Sequence, residues 1–148
     1  MDVKTDRINA YDAAPEAMTV MYAVENYIDN SGLEKSLIEL VKMRASQING
    51  CAFCLDMHGR DARKNGDTEQ RLFLLDAWRE SSLFSPRERA ALAWTEALTS
   101  ISSTHAPDAV FEDFADHFTN EEATNLTLVI CQINSWNRIA IGFRYQHS

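Results

Sequence analysis

The sequence predicts an all-α protein, a single-domain helical bundle of six or seven helices over residues 1–148, and three observations support this fold class. Apolar residues recur at the three- and four-residue spacing of helices through almost the whole chain. No segment shows the strict alternation of a half-buried strand. Only five glycines and three prolines interrupt the 148 residues. Because no linker or internal repeat divides the chain, we expect one domain of ordinary size.

Capping and turn residues predict where the individual helices begin and end. The motifs that begin at Ser85 and at Thr119 each place a glutamate three residues after a hydroxyl side chain, which is typical of a capping box. Asn49-Gly50 is expected to break the chain between two helices. The predicted helices cover about 15–30, 34–48, 51–65 and 67–78, and further helices begin near Ser85, Pro107 and Thr119. Cys131 lies among apolar residues of the last helix and is expected to be buried.

Charge and hydropathy exclude several classes of partner. The net charge of −8 repels a phosphate backbone, so nucleic acid is not an expected partner. The chain also lacks a basic face for anionic lipids and an apolar run of about 20 residues that could span a bilayer. Residues 1–10 are polar and contain no apolar secretory core. We therefore expect a soluble, cytoplasmic protein without a membrane partner.

The chemically informative segment contains two closely spaced cysteines and a histidine. On a helix, Cys51 and Cys54 are neighbours at positions i and i+3, so their sulfurs lie close to the separation of a disulfide. His58 follows Cys54 by four residues and lies on the same face, where an imidazole can take the proton of a thiol. The helix N-terminus favours a thiolate at Cys51, whereas His58 favours one at Cys54. These considerations leave open which sulfur attacks a substrate.

Glu39 joins this group if the chain reverses at Asn49-Gly50. A continuous helix would hold Glu39 about 18 Å from Cys51, at about 1.5 Å per residue. A reversal instead brings together residues at similar distances on either side of the break. Glu39 lies ten residues before Asn49, and His58 lies eight residues after Gly50. The spacing therefore predicts a proton relay of Glu39, His58 and Cys54, in which the carboxylate orients the imidazole or passes a proton.

The whole motif resembles the alkylhydroperoxidase AhpD family within the carboxymuconolactone decarboxylase-like superfamily. Glu39 precedes the Cys-x-x-Cys pair by twelve residues, and His58 follows it at the family spacing. The segments 85–99 and 134–138 also resemble later helices of that family. The resemblance implies an AhpD-like fold, a homo-oligomer (trimer or hexamer) and an enzyme, a thiol-dependent alkyl hydroperoxide reductase. It also implies a small hydroperoxide substrate and an external dithiol reductant, with no cofactor and no metal.

The resemblance further assigns roles to the four candidate catalytic residues. Cys54 matches the peroxidatic thiol and Cys51 its resolving partner, while Glu39 and His58 match the proton relay. The best-studied branch of the family carries an additional histidine between the two cysteines, where this chain has Phe53. The details of proton transfer and the electron donor of that branch are therefore not carried over to this chain.

Other interpretations of the motif remain open. A decarboxylase-like enzyme on the same fold would act on a small cyclic acid and would have no use for a disulfide. A redox-sensing oligomeric module would oxidise reversibly with little turnover. A structural zinc site would use both cysteines and His58 and would need a fourth ligand. The residues available for that fourth ligand are Glu39, His105, His117 and Cys131.

Overall fold

The structure, a computed structural model that describes residues 7–148, is all-helical, as the sequence predicts, and contains no strand within those residues. It has nine α-helices and one 3-10 helix in this range, more than the six or seven helices predicted. The two additional α-helices, Ala10–Ala13 and Ile101–Thr104, are single turns that the sequence analysis did not predict. No helix in residues 7–148 is both long and apolar enough to cross a membrane. The helices are α1 (Ala10–Ala13), α2 (Pro15–Asp29), α3 (Lys35–Asn49), α4 (Ala52–Lys64), α5 (Glu69–Leu74), a 3-10 helix (Leu75–Glu80), α6 (Pro86–Thr99), α7 (Ile101–Thr104), α8 (Asp108–His117) and α9 (Asn120–Phe143).

The predicted capping boxes set the starts of the two helices that follow them. Ser85 caps α6 and Thr119 caps α9, and in each case the glutamate three residues later binds the backbone N–H of the cap residue. Each box satisfies two backbone N–H groups that would otherwise lack an intrahelical partner. The segment predicted as a helix over 67–78 instead divides into α5 and the 3-10 helix, with a non-helical backbone at Ala77.

Helix α3 forms the centre of the bundle and packs against α4, α6 and α9. Its sequence suggests one apolar face, but side chains all around the helix are buried, including those of Glu39 and Lys42. Because neighbouring helices surround α3, its polar side chains are carried into the interior. The central position of α3 therefore explains how two charged residues reach a buried site.

The largest apolar cluster joins α2, α3, α6, α8 and α9. Phe114 of α8 is fully buried, and its ring stacks on Trp94 of α6 with centroids 5.3 Å apart. Burial of such a ring stabilises the fold by about 1.5–3 kcal/mol. A second cluster packs α3 against the 3-10 helix, α6 and the segment between them; its buried members are Leu40, Met43, Leu75, Trp78, Phe84 and Leu92.

The prediction that Cys131 is buried is wrong. The Cys131 side chain is exposed and unbonded to another sulfur, although Ile130 and Ile133 beside it are buried. Thr124 and Arg138, seven residues to either side, are also exposed. Position 131 therefore belongs to the outward stripe of α9, because residues two helical turns apart lie on the same face.

Candidate active site

The turn between α3 and α4 brings the predicted site residues together. Gly50 ends α3 with φ +71° and ψ +37°, a left-handed conformation that glycine adopts without the steric cost of a side chain. The N–H of Cys51 then donates to the carbonyl of Ser46 at 3.0 Å. Asn49 also donates to Asn137 of α9 at 2.9 Å, and Asn137 donates to the Ser46 hydroxyl at 3.0 Å. These bonds fix the reversal of the chain against α9.

The two cysteines of the motif form a disulfide at the start of α4, and their Cα atoms lie 5.3 Å apart. Cys51 is the N-cap residue of α4, and its Sγ accepts a hydrogen bond from the N–H of Cys54 at 3.2 Å. Each cysteine is only 1% exposed. Apolar contacts with Ala140 and with the partly buried Phe53 and Tyr145 enclose the sulfurs.

Glu39 and His58 face each other across the α3–α4 interface. His58 Nδ1 lies 2.9 Å from Glu39 Oε2, and the two side chains are 8% and 12% exposed. Since a glutamate that binds Nδ1 leaves Nε2 free, the pair fixes the orientation of the imidazole. The predicted convergence of Glu39 and His58 is thus present, and it depends on the reversal at Gly50.

One cavity of about 640 Å³ connects the disulfide with this pair. Cys54, His58 and Glu39 all line it, whereas Cys51 does not belong to its wall. The wall comes mainly from α2, α3, α4 and α9, with contributions from Tyr11 of α1 and from Tyr145 after α9. A volume of this size suits a small organic molecule.

Aromatic side chains form much of the rest of the cavity wall. The hydroxyl groups of Tyr11 and Tyr22 lie 3.0 Å apart, and the Tyr22 ring lies 5.7 Å from that of Trp136. The Phe53 and Tyr145 rings, which also line the cavity, meet edge to face at 5.8 Å. Burial and the hydrogen bond to Tyr22 raise the pKa of Tyr11, so its hydroxyl stays protonated at neutral pH. The cavity therefore offers apolar surface together with the neutral hydroxyl group of Tyr11.

A second charged pair lines the same cavity and was not predicted as part of the site. Lys42 Nζ lies 3.0 Å from Glu25 Oε2, and Trp136 Nε1 donates to Glu25 Oε1 at 2.8 Å. One signal in the sequence pointed to it. The sequence places Glu25 among apolar and aromatic residues on one face of α2, and an acidic residue in such surroundings needs a partner when it is buried.

The ligand set of a structural zinc site is not assembled among the described residues. The sulfurs of Cys51 and Cys54 are bonded to each other, and the three remote candidates for a fourth ligand lie outside the cavity wall. In residues 7–148, the ligand atoms of Glu39, His58 and Asp61 do lie within 4.8 Å of one another. The Glu39–His58 hydrogen bond accounts for the closeness of two of them without a metal.

Comparison with known proteins identifies the family. The model of the carboxymuconolactone decarboxylase family matches residues 13–97, more than half of the chain. The chain belongs to this family. Within it, the protein is AhpD-like. It is 50% identical to a protein of unknown function from Agrobacterium tumefaciens, a proposed antioxidant defence protein AhpD, whose crystal structure superposes with a TM-score of 0.95. That alignment covers 97% of this chain and 99% of the other.

Two further relatives and one structural neighbour show how far the similarity extends. The uncharacterised protein YdfG of Bacillus subtilis is 47% identical over 93% of this chain and 94% of its own length. The alkyl hydroperoxide reductase AhpD of Hyphomonas neptunium is 45% identical, but over 32% of this chain and 26% of its own. The debrominase Bmp8 superposes with a TM-score of 0.83 over 93% of this chain and 74% of its own, at 20% identity. That identity shows a common fold alone.

Proposed function

We propose that this carboxymuconolactone decarboxylase-family protein is a thiol-dependent alkyl hydroperoxide reductase. The observation that carries the proposal is the shared cavity, because Cys54 and the Glu39–His58 pair line the same space. A small bound molecule would meet a nucleophilic sulfur and a proton-transferring pair together. The AhpD-type similarity described above supports this reaction class, which needs an external dithiol and a small hydroperoxide.

The cavity wall favours Cys54 over Cys51 as the attacking sulfur. The field of the α4 N-terminus favours a thiolate at Cys51, but Cys51 does not line the cavity and Cys54 does. In the reduced protein, His58 takes the thiol proton, and the Cys54 thiolate attacks the outer oxygen of the hydroperoxide. A sulfur–oxygen bond forms and the oxygen–oxygen bond breaks. The departing alkoxide takes the proton back from the imidazolium, leaving an alcohol and the sulfenic acid of Cys54.

The neighbouring thiol then completes the cycle. Cys51 attacks the sulfenic sulfur of Cys54, a disulfide forms, and the oxygen leaves as water. An external dithiol restores both thiols by exchange and is itself oxidised to a disulfide. Because the two Cα atoms lie one helical turn apart, at 5.3 Å, this bond forms without rearrangement of α4. Glu39 holds the imidazole in position throughout the cycle.

A consumption assay tests the proposal directly. The protein is mixed with cumene hydroperoxide and excess dithiothreitol, and the loss of hydroperoxide is followed over many turnovers. We expect Cys54→Ser to abolish the protein-dependent rate. Cys131→Ser is the matched control, because Cys131 is exposed and outside the cavity; it should retain the wild-type rate. Equal rates for wild type and Cys54→Ser would contradict the proposal.

The multiple-turnover rate in this assay and a separate screen of small cyclic acids distinguish the alternative functions. A redox-sensing module would oxidise once per chain and then show negligible steady-state turnover. A decarboxylase-like enzyme would act on its cyclic acid even with both Cys51 and Cys54 replaced by serine. The trimeric or hexameric state and the cytoplasmic location implied by the sequence stay predictions, the first of which light scattering on the purified protein would test.

A further inference from the structure

The ion pair of Lys42 and Glu25 lies in the wall of the proposed reaction cavity, and the thiol steps described above give it no role. The side chains of Lys42 and Glu25 are only 6% and 17% exposed, and their charged atoms lie 3.0 Å apart. Trp136 binds the second oxygen of Glu25 at 2.8 Å. Three helices, α2, α3 and α9, thus hold one ammonium group at the cavity.

Stability alone is a weak reason for a lysine in this place. Removing two charges from water costs several kcal/mol per ion, and a buried ion pair is often no more stabilising than apolar residues of similar volume. Lys42 also lies one helical turn after Glu39 on α3, so the two side chains share one side of the helix. The pair therefore occupies the polar side of the cavity, next to the proposed proton relay.

The ammonium group has hydrogen-bonding capacity left. A lysine carries three N–H donors, and one of them binds Glu25. Within residues 7–148, Glu25 is the one protein acceptor at hydrogen-bonding distance from Lys42 Nζ. Since the side chain lines the cavity and is shielded from bulk solvent, its remaining donors can serve an acceptor inside the cavity.

We propose that Lys42 is a catalytic residue of this reaction, whose ammonium group donates to the oxygen that leaves the hydroperoxide. Glu25 and Trp136 are positioning residues, since Glu25 holds the ammonium and the indole holds Glu25. This assignment rests on the proposed function. As the oxygen–oxygen bond breaks, negative charge develops on the departing oxygen, and a cation already in place stabilises that charge. Lys42 transfers no proton, because the imidazolium of His58 supplies it.

Two reactions of the same Cys54 thiolate separate this role from a structural one. Oxidation by cumene hydroperoxide expels an oxygen, whereas alkylation by iodoacetamide expels iodide. We expect Lys42→Met to lower the single-turnover oxidation rate by about 100-fold, the usual loss for one such donor, and to leave the alkylation rate almost unchanged. Lys42→Arg should recover most of the oxidation rate. Arg60→Met, which removes a surface pair with Asp56 on α4, should change neither reaction.

Each other outcome has a definite meaning. A parallel loss of both rates in Lys42→Met would place the effect on the thiol or the fold and overturn the assignment, and so would two unchanged rates. If Lys42→Met does not fold, Glu25→Gln carries the test, with a selective loss of oxidation of about tenfold expected and a parallel or absent loss counting against the assignment. A wild-type thiol that alkylates but is not oxidised by hydroperoxide would instead refute the proposed function itself.

Discussion

Replacement of Glu39 by glutamine tests the buried pair that orients the imidazole. The Glu39–His58 contact is 2.9 Å long and the side chains are about nine-tenths buried. A hydrogen bond to a charged group contributes about 1.5–3 kcal/mol, against about 1 kcal/mol for a neutral one. Glutamine keeps the shape and a neutral acceptor. The change should therefore cost about 0.5–2 kcal/mol when the imidazole is charged, which corresponds to a rate about 2- to 30-fold lower.

Stopped-flow oxidation of the reduced protein by one equivalent of hydroperoxide measures this loss. Asp56→Asn is the matched control, because Asp56 is a carboxylate of α4 that pairs with Arg60 at the surface. The control should react at the wild-type rate. Both variants should be shown to be folded by their thermal unfolding transitions. An oxidation rate for Glu39→Gln within twofold of wild type would refute the role given to the carboxylate.

Three further changes test the fold and its charge network. Phe114→Ala empties the centre of the largest cluster and should lower the free energy of unfolding by about 3–5 kcal/mol in urea titrations. Gly50→Ala places a side chain at φ +71° and should cost about 1–2 kcal/mol in the same assay. Burial raises the pKa of Glu96, but hydrogen bonds from Trp78, Arg79 and Arg44 outweigh it and lower that pKa below 4.5. Glu96 therefore stabilises the fold above pH 4.5, and Glu96→Gln should weaken the loss of stability on acidification below that pH.

Specific results would contradict these three expectations. A loss below about 1 kcal/mol for Phe114→Ala would mean that its ring is not packed as described. Unchanged stability of Gly50→Ala would argue against the left-handed turn that brings the two helices together. An identical acid dependence of unfolding in wild type and Glu96→Gln would remove this carboxylate from the groups that couple stability to pH.

Local signals made much of the fold predictable. The capping boxes at Ser85 and Thr119 and the break at Asn49-Gly50 act within a few residues, so the sequence alone locates these helix ends. Glu39 and His58 could be paired for the same reason, because one short reversal relates them. The two single-turn helices were missed because four residues are too few to show a helical period.

Long-range packing limited the prediction of the rest of the site. Lys42, Glu25 and Trp136 meet only because α2, α3 and α9 pack around the cavity, and no spacing along the chain encodes that contact. In the sequence, Lys42 follows Glu39 by three residues, a spacing that is typical of oppositely charged residues on a solvent-exposed helix surface. The central position of α3 nevertheless buries Lys42. The prediction for Cys131 was wrong because successive residues of a helix point about 100° apart. A residue with buried neighbours in the sequence can therefore itself face outward.

Chemical trapping at the cysteine pair tests the central claim most directly. In Cys51→Ser the second step of the cycle is blocked, so one equivalent of hydroperoxide should leave a sulfenic acid that dimedone captures. Peptide mass spectrometry is predicted to find the adduct on Cys54. An adduct confined to Cys131, or no adduct while the thiol of Cys54 remains reduced, would contradict the account.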